Sequence, residues 1–301
     1  MNILVIGGGS FIGSFLIKYL FRYNYNLYII TTDKKKFIRA NSLHKKIIKI
    51  YQLDFTKKIK PPKIKIDVII DCGWVGVFGK FRNSSIQLKN LIYTNSLINF
   101  SRYYKPKLLI SYGSQAEYKI KKKKITETSL VNPGTLYGKI KKKKFSLLQN
   151  SLKKLKIKFI WFRVFSCFGP GEKYSWLIPY VINKILKKEK LEILTPNNIV
   201  DTMYIEDIAR ATIFAIRNNN VKGVFNLAMG KSFKIIEIVK KIKNFINPKL
   251  NLEFGNLSYQ TDKFTVIKSD ISKLKKLGWK PKFTLDEGLK KTIKYYKKKL
   301  K

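Results

Sequence analysis

Tyr137 and Lys141 stand four residues apart in Tyr137-Gly138-Lys139-Ile140-Lys141, a spacing that puts a phenol and an ammonium on one face of a helix. His44 is the only histidine, which excludes Ser-His-Asp triads, HExxH zinc sites and any histidine base. A tyrosine beside a lysine is then the best remaining device for moving a proton. The spacing alone selects nothing, because Tyr103, Tyr118, Tyr180, Tyr259 and Tyr295 also have a lysine four residues on. Position selects Tyr137: it follows Leu108-Leu109-Ile110-Ser111-Tyr112-Gly113-Ser114, a strand segment whose C-terminal end is where ligands collect in parallel sheets. Ser114 reaches the same point.

A second chemical signal lies at the start of the chain. Gly7-Gly8-Gly9-Ser10-Phe11-Ile12-Gly13 separates an apolar run from an amphipathic one, as a turn that brings backbone N–H groups and a helix N-terminus to a pyrophosphate. Gly7, Ser10, Phe11, Ile12 and Gly13 are the expected cofactor-binding positions. Asp33 follows Gly13 by 20 residues, at the end of the second strand, where a carboxylate accepts hydrogen bonds from an adenosine ribose. That carboxylate repels a 2′-phosphate and argues for NAD; Thr31, Thr32 and Lys34 to Lys36 keep NADP open as the alternative. A Walker-type phosphate loop is excluded, since Ser14 and Phe15 stand where Lys and Ser/Thr are needed.

Regular elements must hold these groups. Short apolar runs recur at Ile3 to Ile6, Leu27 to Ile30, Ile47 to Leu53, Val68 to Ile70, Leu108 to Ile110 and Phe159 to Phe165. Amphipathic spacers at Phe11 to Phe21, Ile86 to Tyr103 and Tyr137 to Leu155 make the series βαβ units. The expected fold is α/β, a Rossmann-type doubly wound parallel sheet with a smaller mixed α/β C-terminal substrate domain. After Phe168-Gly169-Pro170-Gly171 the rhythm changes, with helices expected at Trp176 to Leu186, Asp207 to Arg217 and Ile235 to Ile246. Residues 1–168 are read as the dinucleotide-binding domain, with 200–228 returning to it, and 169–199 plus 229–301 as the substrate domain.

Composition limits the classes further. The chain has 301 residues, 45% of them hydrophobic, enough for one large domain or two unequal ones. Its formal charge of +45 would point first to nucleic acid or an anionic membrane, but seven scattered arginines among 63 basic residues make no base-reading cluster. The lysine excess reads as solvated surface, and the runs Lys121 to Lys124 and Lys141 to Lys144 as exposed charge. Cys72 and Cys167 have no CxxC spacing, so neither a disulfide framework nor a cysteine zinc site is expected, and a reducing cytoplasm fits. No run approaches ~18 uninterrupted apolar residues, and no metal or membrane partner is expected.

At this point a resemblance becomes specific. Gly7 to Gly13, Ser114-Gln115-Ala116-Glu117-Tyr118 and Pro133-Gly134-Thr135-Leu136-Tyr137-Gly138-Lys139-Ile140-Lys141 resemble the successive motifs of the extended short-chain dehydrogenase/reductase family, the NAD-dependent epimerase/dehydratase group that acts on nucleotide sugars. Further matches run through Arg163-Val164-Phe165 to Gly171, Asp201 to Asp207, Phe225-Asn226 and Asp270 to Pro281.

The resemblance implies that Tyr137 is the acid/base, that Lys141 holds the nicotinamide ribose and lowers the phenol's pKa, and that Ser114 hydrogen-bonds the reacting oxygen. A free tyrosine titrates near 10, so phenolate near neutrality needs a shift of ~3 units, about 4 kcal/mol. The resemblance also implies that Asp54 contacts adenine, that Cys72, Gly73 and Trp74 line the cofactor, and that Ser166 and Gln115 face substrate. Its departures matter. Ser10 replaces a glycine where a side chain could crowd the pyrophosphate. Gln115 and Ala116 stand where the 4,6-dehydratases have Asp-Glu, so dehydration lacks its acid. Val200 precedes Asp201 where many UDP-sugar epimerases have an arginine.

The resulting expectation is a nucleotide-sugar epimerase or 4-ketoreductase in surface-polysaccharide sugar synthesis, homodimeric by resemblance. The alternatives are a non-catalytic dinucleotide-binding regulator and, third, a nucleic-acid-binding protein acting through its charge. Among other residues, Trp161, Trp176 and Trp279 read as packing, with Trp74 bordering the site. Cys72 and Cys167 read as inert thiols, Glu206 and Asp207 as a helix-start cap and dipole pair, and His44 as surface.

Overall fold

The computed structural model of the protein describes residues 1–35, 37, 47–119, 124–193, 195–250 and 265–300. His44, Arg39, Lys36, Lys121 to Lys123, Tyr259 and the first part of the Asp262 tail lie outside these residues.

Six parallel strands follow the expected runs: β1 (Asn2–Ile6), β2 (Asn26–Thr31), β3 (Lys49–Gln52), β4 (Val68–Asp71), β5 (Leu108–Ser114) and β6 (Lys158–Val164). Two-residue strands follow at β7 (Cys167–Phe168), β8 (Ile199–Val200) and β9 (Met203–Tyr204), and then β10 (Gly223–Leu227) and β11 (Phe233–Lys234). The main sheet has the order β10-β6-β5-β4-β1-β2-β3 and every pair in it is parallel. The order reverses at β1, and the crevice beside that reversal is where a doubly wound sheet binds ligands. Separately, β7 pairs with β9 in parallel and β8 with β11 antiparallel.

The helices are α1 (Phe11–Leu20), α2 (Lys89–Tyr104), α3 (Leu136–Lys154), α4 (Leu177–Leu186), α5 (Ile205–Arg217), α6 (Ile235–Ile246), α7 (Ser272–Lys276) and α8 (Leu285–Leu300). Strand alternation sends Ile3 and Val5 to one core with Leu16 and Ile208, and Leu4 and Ile6 to another with Leu97 and Leu148. Helices therefore cover both faces, α1 with α5 on one side and α2 with α3 on the other. Each fully buried Leu or Ile there contributes about 1.5–3 kcal/mol. Further along the chain, α4, α6 and α8 pack together.

Two local expectations are corrected. On α3 the buried face runs Tyr137, Ile140, Lys141, Lys144, Leu148 and Leu152, the spacing of one helical stripe. Lys142 and Lys143 are exposed, but Lys141 and Lys144 are buried, so the tetralysine run is not a solvated face. The reason is a partner for each under the helix: the Asp71 carboxylate for Lys144 and the Tyr112 carbonyl for Lys141. At α5 the N-cap is Tyr204, without a side-chain cap, so Glu206 and Asp207 supply first-turn charge but no cap. Asp207 instead accepts the amides of Lys282 and Phe283 (2.9 and 3.0 Å) and pairs with Arg210 (2.8 Å). Trp161 and Trp279 are packed in the core as expected.

Candidate active site

The glycine turn is shaped by close backbone approaches. Gly7 has φ +77°, and a Cβ there would lie 2.6 Å from the Gly73 amide nitrogen, so the first turn and the strand-4 loop meet through a position that only glycine fills. Gly7→Ala is expected to cost about 2 kcal/mol or more and to weaken NAD binding at least tenfold. Thermal melting and NAD titration check this; an unchanged affinity would separate the turn from the cofactor. Ser10 caps α1, its Oγ accepting from the Gly13 amide at 3.1 Å. Its hydroxyl is thus turned into its own helix. Phe11 and Ile12 open the helix, half-buried.

At the far end of β2, Asp33 is exposed just beyond the strand, its amide 3.4 Å from Thr31 Oγ1. Asp54 follows β3, half-buried, with Oδ1 accepting from the amide and hydroxyl of Thr56 (2.9 and 2.7 Å). Both carboxylates stand at strand C-termini on the β2–β3 side of the crevice.

The proton-transfer groups converge after β5. The Ser114 amide donates to Glu117 Oε1 (2.8 Å) and its Oγ accepts from the Ala116 amide (3.2 Å). Fully buried Glu117 also accepts from Trp161 Nε1 (3.1 Å) and Arg163 Nε (2.8 Å). Arg163 donates on to the Tyr118 hydroxyl (2.9 Å), which donates to Asn226 Oδ1 (2.7 Å). This buried chain of bonds fixes the turn that presents Ser114. Helix α3 starts against it: a Cβ at Gly138 would lie 2.2 Å from the Ala116 carbonyl, an approach that brings Tyr137 beside Ser114.

Tyr137, Ser114 and Lys141 are all buried. Burial pushes the Tyr137 phenol up, opposed by the Arg82 guanidinium and by hydrogen bonding from Ser114. Lys141 Nζ donates to the Tyr112 carbonyl (2.6 Å) and lies 3.8 Å from the centre of the Trp74 ring. Burial, then the Lys144 charge, push its ammonium down to about 7. Trp74 also meets the Tyr137 ring edge-on at 5.5 Å and donates Nε1 to Gln87 Oε1 (3.0 Å). Beneath Lys141, Lys144 Nζ pairs with Asp71 Oδ2 at 2.6 Å. Asp71 further accepts from Tyr93 (2.6 Å) and Ser111 (2.5 Å). Burial alone would raise Asp71, but Lys144 and these hydroxyls hold its carboxyl below the usual range.

Gln115 Oε1 is buried and receives no hydrogen bond, a free acceptor beside Ser114. Ser166 is half-buried between β6 and β7, its carbonyl accepting from the Met203 amide (3.0 Å). Cys72 and Cys167 are free and half-buried, and burial raises both thiols, which keeps them protonated and poor nucleophiles.

The arrangement fits a dinucleotide. The glycine turn and the α1 N-terminus suit a pyrophosphate, Asp33 and Asp54 suit the adenosine end, and Gly7 abuts Gly73, next to Trp74 and the Tyr137 pair. Lys141 spends one of its three donors on Tyr112, leaving two for ribose hydroxyls. Sequence reasoning missed Arg82, Asp71 and Lys144. Counting seven residues from Tyr137 finds Lys144 on the buried stripe, and Asp71 is the one carboxylate closing the apolar Val68-Ile69-Ile70; Arg82, on an irregular turn, carries no pattern.

These features define a class: a doubly wound α/β protein with a glycine turn leading into its first helix and a hydroxyl, a phenol and an ammonium gathered at the strand ends. A model of the NAD dependent epimerase/dehydratase family matches residues 3–228, and the chain belongs to that family. CDP-abequose synthase of Salmonella muenchen is 23% identical over 97% of this chain and 97% of its own length. UDP-glucuronate 4-epimerase of Thermodesulfobacterium geofontis is 28% identical over 87% of this chain and 84% of its own. The solved structure of UDP-glucose 4-epimerase from Thermotoga maritima, with UDP-glucose, matches with a TM-score of 0.86 over 100% of both chains at 21% identity.

Proposed function

We propose that the protein is an NAD-dependent nucleotide-sugar epimerase or 4-ketoreductase, moving hydride at one sugar carbon with Tyr137 as acid/base. The observation that carries this reading is the meeting of Ser114, Tyr137 and Lys141 at the C-terminal end of β5, next to the loop against which the glycine turn packs. The nicotinamide, when bound, accepts or donates the hydride. The chain's own groups do the rest. Tyr137 exchanges a proton with the sugar oxygen, Ser114 hydrogen-bonds that oxygen, and the Lys141 ammonium binds ribose hydroxyls. Gln115 Oε1 accepts from a substrate donor, which completes its hydrogen bonding. NAD-bound and nucleotide-sugar-bound solved structures of the same fold support the ligands.

Segments 169–199 and 229–301, which include the packed α4, α6 and α8, are assigned to substrate binding, and 1–168 with 200–228 to the dinucleotide. Exposed Leu88, Ile92 and Tyr103 on and beside α2 support a homodimer, and two free cysteines support a reducing cytoplasm. None of the described helices is long and apolar enough to cross a membrane. The place in surface-polysaccharide sugar synthesis rests on the reaction class alone.

The purified protein is to be assayed with UDP-sugars for cofactor-neutral interconversion, and with 4-keto-6-deoxy nucleotide sugars for NADH or NADPH consumption. Turnover in neither removes the proposal. With Asp33 at the β2 end, NAD is expected to bind at least tenfold more tightly than NADP, and Asp33→Asn to narrow that gap. Equal affinities in the wild type would remove Asp33 from cofactor selection.

A further inference from the structure

We propose that Arg82 is the electrostatic partner of Tyr137, a positioning residue whose guanidinium holds the negative charge that the phenol acquires when its proton passes to the sugar oxygen. The inference rests on the reading of Tyr137 as the acid/base.

The Arg82 guanidinium carbon lies 4.2 Å from the centre of the Tyr137 ring, whereas Lys141 Nζ lies 5.9 Å away. A cation over a ring face is attracted by the π-electrons, and more so once the ring carries phenolate charge. Lys141 is moreover committed elsewhere, to the Tyr112 carbonyl and the Trp74 face.

The turn that carries Arg82 is built to stay in place. Arg82 sits on a 3-10 turn, Gly79–Asn83. Fully buried Gln87 staples that turn by donating to the Phe81 and Gly76 carbonyls (2.8 and 2.5 Å). Asn83 Oδ1 accepts the Leu136 amide (3.0 Å), which ties the turn to the first residue of the helix that bears Tyr137.

Residue choice points the same way. In a chain with seven arginines among 63 basic residues, Arg163 and Arg210 sit on carboxylates at 2.8 Å, Arg22 lies 3.9 Å from Glu206 while covering Tyr19, and Arg102 and Arg217 have no carboxylate but do not reach the strand-end site, Arg102 bonding Asn99 and Arg217 lying 5.7 Å from the Tyr23 ring. Among the described residues Arg82 has no carboxylate within ion-pair distance; what it covers is a tyrosine ring. A guanidinium over an aromatic face has the charge attraction that an ammonium would also have, and adds a flat contact with the ring.

The other groups facing Tyr137 do not replace it. Ser114 brings an uncharged hydroxyl that accepts from the Ala116 amide, Glu117 is neutralised by Arg163, the Cys167 thiol is held protonated by burial, and the Lys141 ammonium is pushed down to about 7.

Phenolate absorbance near 295 nm, followed from about pH 6 to 11.5 as the difference between a protein and its Tyr137→Phe counterpart, isolates this one tyrosine among 17. The titration is run in wild type, Arg82→Gln, Arg82→Lys and Lys141→Met backgrounds, with and without NAD. In Arg82→Gln the midpoint is expected to rise by at least one pH unit, a tenfold loss of phenolate at fixed pH. Arg82→Lys is expected to recover at least half of that shift, and without NAD Lys141→Met to move the midpoint less than Arg82→Gln does. A midpoint unchanged in Arg82→Gln, an Arg82→Lys protein that behaves like Arg82→Gln, a larger shift in Lys141→Met, or a wild-type phenol silent across the range overturns the assignment. The titration needs no turnover, so it fails or holds independently of the reaction assigned above.

Discussion

Tyr137→Phe is expected to fold, to bind NAD with wild-type affinity, and to lose roughly 10²–10⁴-fold in turnover, the range carried by a positioned proton-transfer group. That corresponds to about 3–5.5 kcal/mol of transition-state stabilisation. The substitution removes one oxygen and leaves the ring, so its edge-on contact with Trp74 and its cover by Arg82 persist. No neighbouring group takes over the proton. Glu117 is locked by Arg163 and Trp161, the thiol of Cys167 is held protonated, and Lys141 faces Tyr112 and Trp74. Ser114→Ala is expected to cost less, because it removes a hydrogen bond to the reacting oxygen and keeps the acid. Single-turnover kinetics, with NAD binding measured separately, checks both substitutions. A Tyr137→Phe enzyme that turns over at the wild-type rate would remove the mechanism while leaving the fold and family intact.

The largest stability effect is expected at Lys144. Removing one partner of a buried ion pair strands the other without solvent, a loss of ~3–5 kcal/mol. For a chain of this size that lowers Tm by roughly 10 °C. Lys144→Met is such a change, since Lys144 and Asp71 are both buried and lie 2.6 Å apart. Asp71→Asn is expected to be comparably harmful, and Asp71→Asn combined with Lys144→Met to lose less than the sum, because neither partner is then left alone.

The pH dependence carries a signature. The folded protein holds Asp71 below its ordinary carboxylate range, so the pair's contribution is complete above about pH 5 and is lost as the pH falls through the lowered folded value. In Lys144→Met the stranded carboxyl takes up a proton instead, so the deficit against wild type shrinks between pH 7 and about pH 5. Denaturant unfolding of both proteins at the two pH values reads this directly. A Tm within 2 °C of wild type at neutral pH would show the pair to be dispensable.

Most of the architecture was legible in the chain. Each expected strand run became a strand of the parallel sheet, and Ile235–Ile246 forms a helix over the very residues its periodicity marks. Runs of β-branched residues and 3.6-residue stripes are local signals, and in a sheet covered on both faces local signal and tertiary need agree. The site was legible only in part. Ser114, Tyr137 and the glycine turn sit in ordered strand–helix contexts, so their positions could be inferred. Arg82 sits on a 3-10 turn with no period, and reaches Tyr137 because Gln87 and Asn83 fold that turn back onto α3. Asp71 and Lys144 are 73 residues apart, and one lysine in a run of four looks like its exposed neighbours until the helix is placed on the sheet.

By itself, then, the amino-acid order determined which segments are strands and helices, that a helix begins straight after a glycine turn, and that a single histidine leaves a triad or a histidine metal motif no residues to use. Those properties depend on neighbours a few residues away and on which residue types exist at all. Tertiary structure decided the electrostatics: which two of four consecutive lysines leave water, which carboxylate receives one of them, and which cation lies on the phenol. Charge acts through space and depends on burial, so it is settled only when distant segments close around the same few ångströms.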